Sequence, residues 1–380
     1  MNELMKEAEA FFSDVPGEKI VFADDPVSAL SRYLSLDTVV FSGMHYAGIF
    51  QKAGFEVWCG VEAEPSVETV DRMADFLRRK NPRTVIAVGG GSVLDAAKAA
   101  LLMVETNWSL GELFGVNRWS DAHPGSKLRR IIAVPTTSGT GSEATPYSNI
   151  VVPDAGVKRL IAENECIPEM AVMIPQLTES MPLLLTRATG FDALAHLIEG
   201  FLNVGADNNH PAANRWAKCG IALVKAALPG ALTGDKKCRK AMAYASLLGG
   251  MTIRFKSTGL PHLCSFSWYG RIAHGDAVAV LLPECWRYYL ENPVVRKRTM
   301  ELGEIFCGTT PEEVICSYEN FLDSTGMPGG LSAWDGIDAK LIERTARSGA
   351  QNKMKLDLAP NPVPLEDSYD ILEAIMKLSL

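Results

Sequence analysis

The first half of the chain alternates short apolar, β-branched runs with segments of helical period. Ile20-Val-Phe22, Thr38-Val-Val-Phe41, Phe55-Glu-Val-Trp58, Thr84-Val-Ile-Ala-Val88 and Arg130-Ile-Ile-Ala-Val134 predict strands. Residues 27–34, 46–53, 66–80 and 93–104 predict the intervening helices, with Ser66 placed to cap the third. This alternation predicts a parallel sheet covered on both faces. From about Met181 the period changes. Residues 184–202, 211–228, 239–254, 276–290, 293–306 and 311–324 repeat apolar positions at helical spacing, and shorter helical patterns lie at 338–348 and 366–378. The expected organisation is an α/β domain over 1–180 with a parallel, Rossmann-like sheet, followed by an all-α domain over 181–380. The proline-bearing stretch 354–363 predicts a surface connection.

Composition narrows the class. The 380 residues are 47% hydrophobic and 22% charged, ordinary for a soluble globular protein of about two domains. A net charge of −8 gives no reason to expect nucleic acid or an anionic membrane surface as partner. The mixed-charge start Met1-Asn-Glu-Leu-Met-Lys6 does not read as a secretory signal, and no uncharged apolar run reaches a bilayer span. Eight cysteines without any Cys-x-x-Cys pair read as reduced, mostly buried thiols of a cytoplasmic protein.

Two loops of the first half invite a nucleotide. Val88-Gly-Gly-Gly-Ser92 leads from an apolar strand into a helix. Glycines there let the backbone approach a pyrophosphate, while the helix amides point at it and Ser92 adds a hydroxyl. The same turn serves equally as a tight strand-to-helix connection. It is not the Gly-x-Gly-x-x-Gly fingerprint, and it follows a later strand than the first. After the next strand comes Pro135-Thr-Thr-Ser-Gly-Thr-Gly-Ser-Glu-Ala-Thr145, rich in hydroxyls and placed where α/β sheets bind ligands. A solvated Ser/Thr loop is the alternative.

The second half holds the metal chemistry. Asp192 and His196 are four apart in an apolar helical segment, so both leave one face a turn apart. A surface ion pair is the plain reading of such a pair. Of the six histidines, His262 and His274 are placed to complete a cage, the first from a loop and the second from the start of a helix. Three imidazoles and a carboxylate suit Fe²⁺ or Zn²⁺. His45, His123 and His210 read as turn or loop residues, and Cys264 as structural.

Four motifs in register, Gly89-Gly-Gly-Ser92 with Asp95, Pro135-Thr-Thr-Ser-Gly-Thr-Gly-Ser-Glu143, Gly190-Phe-Asp-Ala-Leu-Ala-His196 and His274-Gly275, resemble the iron-containing (group III) alcohol dehydrogenase family over nearly the whole chain. The resemblance implies a dehydroquinate synthase-like architecture, with a nucleotide-binding α/β domain, a helical domain and a site in the cleft between them. It implies NAD(H) or NADP(H) on Gly90, Gly91, Ser92, Asp95, Thr136, Thr137 and Thr140, and one divalent metal on Asp192, His196, His262 and His274. It also implies a small aldehyde or alcohol as substrate and self-association as a homodimer.

Three departures from that family stand out. Phe266 lies where the family often has a histidine near the nicotinamide. Gly43 lies where NAD-preferring members often have an aspartate. Ile174-Pro175 replaces an Asp-Pro. The spacing from His262 to His274 is also about two residues short of the family's usual one. Arg254, Lys256 and Arg271 flank His262 in sequence; one of them, or Lys158, would pair with an anionic substrate if it faced the site. The expected chemistry is hydride transfer between nicotinamide and a short, optionally anionic, aldehyde or primary alcohol, with no catalytic side chain assigned beyond the metal ligands. The alternatives are a sugar-phosphate cyclase-type lyase of the same architecture and a non-catalytic metal- or nucleotide-binding protein.

Overall fold

The computed structural model describes residues 1–14, 19–34, 37–106, 108–205 and 210–380. The chain divides into two units: Phe12–Met181, and Met1–Phe11 together with Pro182–Leu380. The first eleven residues, expected in the α/β domain, form the helix Asn2–Phe11, which packs on the helices Ala213–Leu232 and Lys236–Phe255. Glu9 accepts a hydrogen bond from Tyr244 there (2.7 Å).

In the α/β unit the strands are β1 Lys19–Phe22, β2 Thr38–Ser42, β3 Glu56–Cys59, β4 Thr84–Gly89, β5 Gly115–Val116, β6 Arg130–Pro135, β7 Tyr147–Val152, β8 Val157–Ala162 and β9 Met170–Met173. Six of them form one parallel sheet in the order β1-β9-β6-β4-β2-β3. All five expected strands are in it, and β9 is the addition. Side chains two apart share a face, so Val39, Phe41, Val85, Ala87, Ile131 and Ala133 enter one core. Val40, Ile86, Val88, Ile132 and Val134 enter the core on the other side. Burial on both faces explains why these strands read as continuous apolar runs. A second, three-stranded sheet carries the β7–β8 hairpin, which turns through Pro153–Ala155 and Gly156 (φ +63°). The chain moves outward from β2 to β3 and then to the other side through β4 and β6. The strand order therefore reverses between β2 and β4, and ligands bind beyond the carboxyl ends at such a point.

The helical unit is built around Leu183–Leu202. That helix is buried along most of its circumference and packs against Ala213–Leu232, Lys236–Phe255 and His274–Tyr289. Stretch 354–363 departs from the expected surface connection. Lys353–Asp357 is a short helix, and Lys355, Leu356, Ala359 and Val363 are buried. The reason is polar: the Lys355 ammonium finds Thr258 Oγ1 at 2.6 Å and the Thr258 carbonyl at 3.3 Å. The eight cysteines are unpaired; four are buried, while Cys307 and Cys316 are exposed. No helix among the described residues is long and apolar enough to cross a membrane.

Candidate metal centre and nucleotide turn

Asp192 and His196 project from one face of the Leu183–Leu202 helix, in its fully buried middle. His262 comes from a short helix, Leu260–Ser265, rather than the expected loop; Pro261 occupies its first turn, where a missing amide costs nothing. His274 is the first residue of His274–Tyr289.

What brings His274 in is the packing of its neighbours on the Asp192 helix. A Cβ on Gly275 would fall 1.7 Å from the Ala188 carbonyl oxygen and 3.1 Å from Asp192 Cβ, so only glycine permits this approach. One residue on, Asp276 takes Arg187 of the same helix in a buried two-point ion pair (Nη2–Oδ2 2.8 Å, Nε–Oδ1 3.4 Å).

The four side chains meet at one oxygen. Asp192 Oδ1 lies 3.7 Å from His196 Nε2, 3.6 Å from His262 Nε2 and 3.6 Å from His274 Nε2. These separations are long for hydrogen bonds. They suit donors that share an ion at about 2.1 Å, whose tetrahedral edges are about 3.4 Å. Asp192, His196 and His262 are buried, and their donor atoms lie within 4.8 Å of one another. Asp192 Oδ1 and His262 Nε2 are buried without a hydrogen-bond partner. Two such atoms aimed at one point fit a cation. Burial would raise the Asp192 carboxyl, but the His196, His262 and His274 rings hold it well below the usual carboxylate range. Burial would lower His262, but the Glu199 and Asp192 carboxylates lift it to about 9.

The rings are held from behind. Glu199, fully buried one turn after His196, accepts from His262 Nδ1 at 2.5 Å. Ser265 Oγ donates to the His262 carbonyl (2.8 Å) and lies 3.1 Å from His274 Nδ1, which leaves its oxygen to accept from that ring. Neither residue was singled out from sequence. For Glu199 a signal existed: an acid seven residues after Asp192 in an apolar helix shares its face.

The nucleotide residues gather in the α/β unit. Gly90 caps the helix Gly91–Glu105 directly after β4. A Cβ on Gly90 would meet Thr137 at 3.1 Å, and one on Gly91 would meet Thr140 at 2.5 Å. Thr136 donates its amide to the Gly89 carbonyl (2.9 Å). The Ser/Thr loop is thus seated on the glycine turn. Ser92 Oγ accepts from the Glu64 amide (3.0 Å). Asp95 is turned inward, accepting from Ser142 Oγ (2.6 Å) and the Asn149 amide (2.9 Å).

Lys98, one turn further along and 1% exposed, donates to the carbonyls of Ser142 (2.6 Å), Thr145 (3.0 Å) and Tyr147 (3.0 Å). Asp95 and Lys98 therefore pin the loop to the helix. Their spacing, three apart inside an apolar helix, is the signal the sequence carries for this. Ser138 Oγ, Glu143 Oε1 and Asn149 Oδ1 are buried in or beside this loop without a hydrogen-bond partner, as fits a polar ligand lying against it. Burial raises Glu143 to about 7.

Lys158, on β8 and buried, is matched by Glu64 at 2.6 Å. Exposed Arg271 donates to a neutral partner, the Gly336 carbonyl (3.3 Å). The Arg254 guanidinium lies over Phe255 (5.3 Å), and Lys256 is buried. Phe266 stacks near His274, with ring centroids 6.4 Å apart.

Residues 41–175 match the family described as "Iron-containing alcohol dehydrogenase", and 186–376 match "Fe-containing alcohol dehydrogenase family, C-terminal". Long-chain-alcohol dehydrogenase 1 of Geobacillus thermodenitrificans is 32% identical over 84% of this chain and 81% of its own length. The NADPH-dependent butanol dehydrogenase of Clostridium saccharobutylicum is 32% identical over 72% of this chain and 71% of its own. An iron-containing alcohol dehydrogenase structure from Thermococcus thioreducens superposes with a TM-score of 0.83 at 26% identity, covering 95% of this chain and 98% of that one.

Proposed function

Because the chain belongs to the iron-containing alcohol dehydrogenase family, we propose that it transfers hydride between NAD(H) or NADP(H) and a short aldehyde or primary alcohol, at one divalent ion, Fe²⁺ or Zn²⁺, held by Asp192, His196, His262 and His274. The observation that carries this reading is the convergence of three Nε2 atoms on one orphaned, buried carboxylate oxygen. When bound, the cation supplies Lewis acidity to the substrate oxygen and the nicotinamide supplies the hydride.

The chain's own work is charge and position. Asp192 contributes the negative charge that a dication needs in a buried setting, and the three rings fix its direction of approach. Gly90, Gly91 and Ser92 present helix amides and a hydroxyl for pyrophosphate, and Thr136, Thr137 and Thr140 line the same turn. Asp95 serves by holding that loop. With a phenylalanine at 266, proton exchange falls to hydroxylic solvent.

The helix Met44–Lys52, which follows β2, has no acidic residue in its first turn, and Gly43 precedes it. Without a carboxylate in that turn a 2′-phosphate meets no repulsion from it, which supports use of NADP(H). The Clostridium relative is NADPH-dependent by name. With Lys158 matched by Glu64, Arg271, three residues before His274, is the cation we assign to an acidic substrate group.

Turnover of metal-loaded protein with short neutral and short acidic aldehydes, under NADH and NADPH, tests this reading. We expect net cofactor oxidation, with NADPH accepted at least as well as NADH. Arg271→Ala should raise KM about tenfold for acidic aldehydes alone, the loss of about one charge-assisted hydrogen bond. A preference for long neutral alcohols removes the acidic substrate, and cofactor cycling without net oxidation points to the lyase. The lyase is the less favoured reading, since the relatives and structural neighbours are alcohol dehydrogenases.

Lys98→Met should act on the cofactor side. It leaves the carbonyls of Ser142, Thr145 and Tyr147 without their buried donor, at about 1–3 kcal/mol for each one left unpaired. Cofactor titration should show KM raised about tenfold or more, while metal content is unchanged. Unaltered cofactor binding would show that the loop does not depend on Lys98.

A further inference from the structure

Besides Asp192 and Asp276 the helical unit also buries Glu199, whose carboxylate meets His262 at Nδ1 rather than at the candidate donor Nε2. We propose that Glu199 is the positioning residue of the metal centre, setting the tautomer and direction of His262; this rests on the metal site proposed above.

Three observations carry it. Glu199 is 0% exposed, and a carboxylate is not kept in such a place without full satisfaction. Its two oxygens are divided between the ring and the backbone that bears the ring. Oε1 accepts from His262 Nδ1 at 2.5 Å, and Oε2 accepts from the amide of Gly259, the residue that opens the Leu260–Ser265 helix. Finally, the opposite ring nitrogen, His262 Nε2, is buried without a hydrogen-bond partner and lies 3.6 Å from Asp192 Oδ1.

In the neutral ring, a proton held on Nδ1 by a carboxylate leaves Nε2 to present its lone pair to the centre. The same carboxylate makes the imidazole a stronger donor. It also sets a second negative charge beside Asp192 against a buried dication. The turn behind it is held independently: Tyr289 Oη accepts from the Leu260 amide (2.7 Å), and Lys355 holds Thr258. Glu199 therefore has few structural duties that its amide analogue would not share, apart from the charge and the acceptor facing His262.

The test uses the full chain, stripped of metal by a chelator and titrated with Co²⁺ alone against a chromophoric competitor. Wild type should take up one equivalent, and His196→Ala should lose it. Glu199→Gln should bind about 10–100-fold more weakly with an altered Co²⁺ absorption spectrum, a readout that a merely structural role would not move. Wild-type affinity and spectrum in Glu199→Gln overturn the proposal. Equal uptake by wild type and His196→Ala overturns the underlying metal site, and the proposal with it. Should Glu199→Gln fail to fold, nitrogen NMR of isotope-labelled histidine in the zinc-loaded wild type decides. A His262 proton on Nδ1, strongly deshielded by a carboxylate, supports the proposal, and a proton on Nε2 overturns it.

Discussion

Asp192→Ala is expected to release the metal and to cut kcat/KM for aldehyde reduction about a thousandfold or more. Its Oδ1 is the point on which His196, His262 and His274 all converge. Three neutral rings leave the dication without an anionic ligand, so affinity falls steeply. Losing Lewis-acid stabilisation of about 4 kcal/mol gives the stated rate loss. Asp192→Asn separates charge from shape: it keeps the volume and one oxygen, and should retain more metal than alanine but far less than wild type. Metal analysis after desalting, beside initial rates at saturating cofactor, checks both. Full activity in a metal-free Asp192→Ala preparation would remove the metal from the mechanism.

Gly275→Ala is expected to be nearly as damaging, though residue 275 bears no donor atom. The added methyl would lie 1.7 Å from the Ala188 carbonyl oxygen, which is backbone and has little room to yield. Overpacking of this kind costs about 1–3 kcal/mol. The helix can relieve it only by backing away, and His274 is the adjacent residue. The Arg187–Asp276 pair resists that movement from the next position. Both stability and metal affinity should therefore drop together, with thermal melting lowered even in the metal-free protein. The Asp192 variants differ in this respect, because they act on the metal and leave the helix seat intact. Calorimetric melting of both apoproteins distinguishes the two mechanisms; an unchanged melt and full metal content in Gly275→Ala would show that the contact is compliant.

The parts of this molecule legible in sequence are those written as a period. The five strands and the long helices announce themselves because each buries a regular set of side chains. The Asp192–His196 pair was legible for the same reason. Features that depend on distant partners were not. Met170-Ala-Val-Met173 is only four residues long and poor in β-branched side chains, and it is a strand because it lies between β1 and β6. The β7–β8 hairpin interrupts the strand–helix rhythm, although Pro153-Asp-Ala-Gly156 is a turn in its own right. The short helix bearing His262 is too brief to show a period. The amides at its start are held by residues distant in sequence, Gly259 by Glu199 and Leu260 by Tyr289. Stretch 354–363 looked like surface from its prolines, and is half-buried because Lys355 finds Thr258.

The site divides in the same way. Residues expected to meet the metal converge, since donor types in an apolar setting are conspicuous. The residues that hold them (Glu199, Ser265, Gly275 and the Arg187–Asp276 pair) are not, since their meaning lies in contacts between helices. In the α/β unit the glycines and threonines were conspicuous, while Lys98 was not. Asp95, expected beside the cofactor, gives both carboxylate oxygens to Ser142 and Asn149.

X-ray absorption at the metal edge of the loaded wild-type protein tests the central assignment most directly. One ion per chain should scatter from three imidazole nitrogens and one carboxylate oxygen, all at about 2.0–2.2 Å. A sulfur shell, or a spectrum without multiple scattering from imidazole rings, would contradict a centre built from Asp192, His196, His262 and His274.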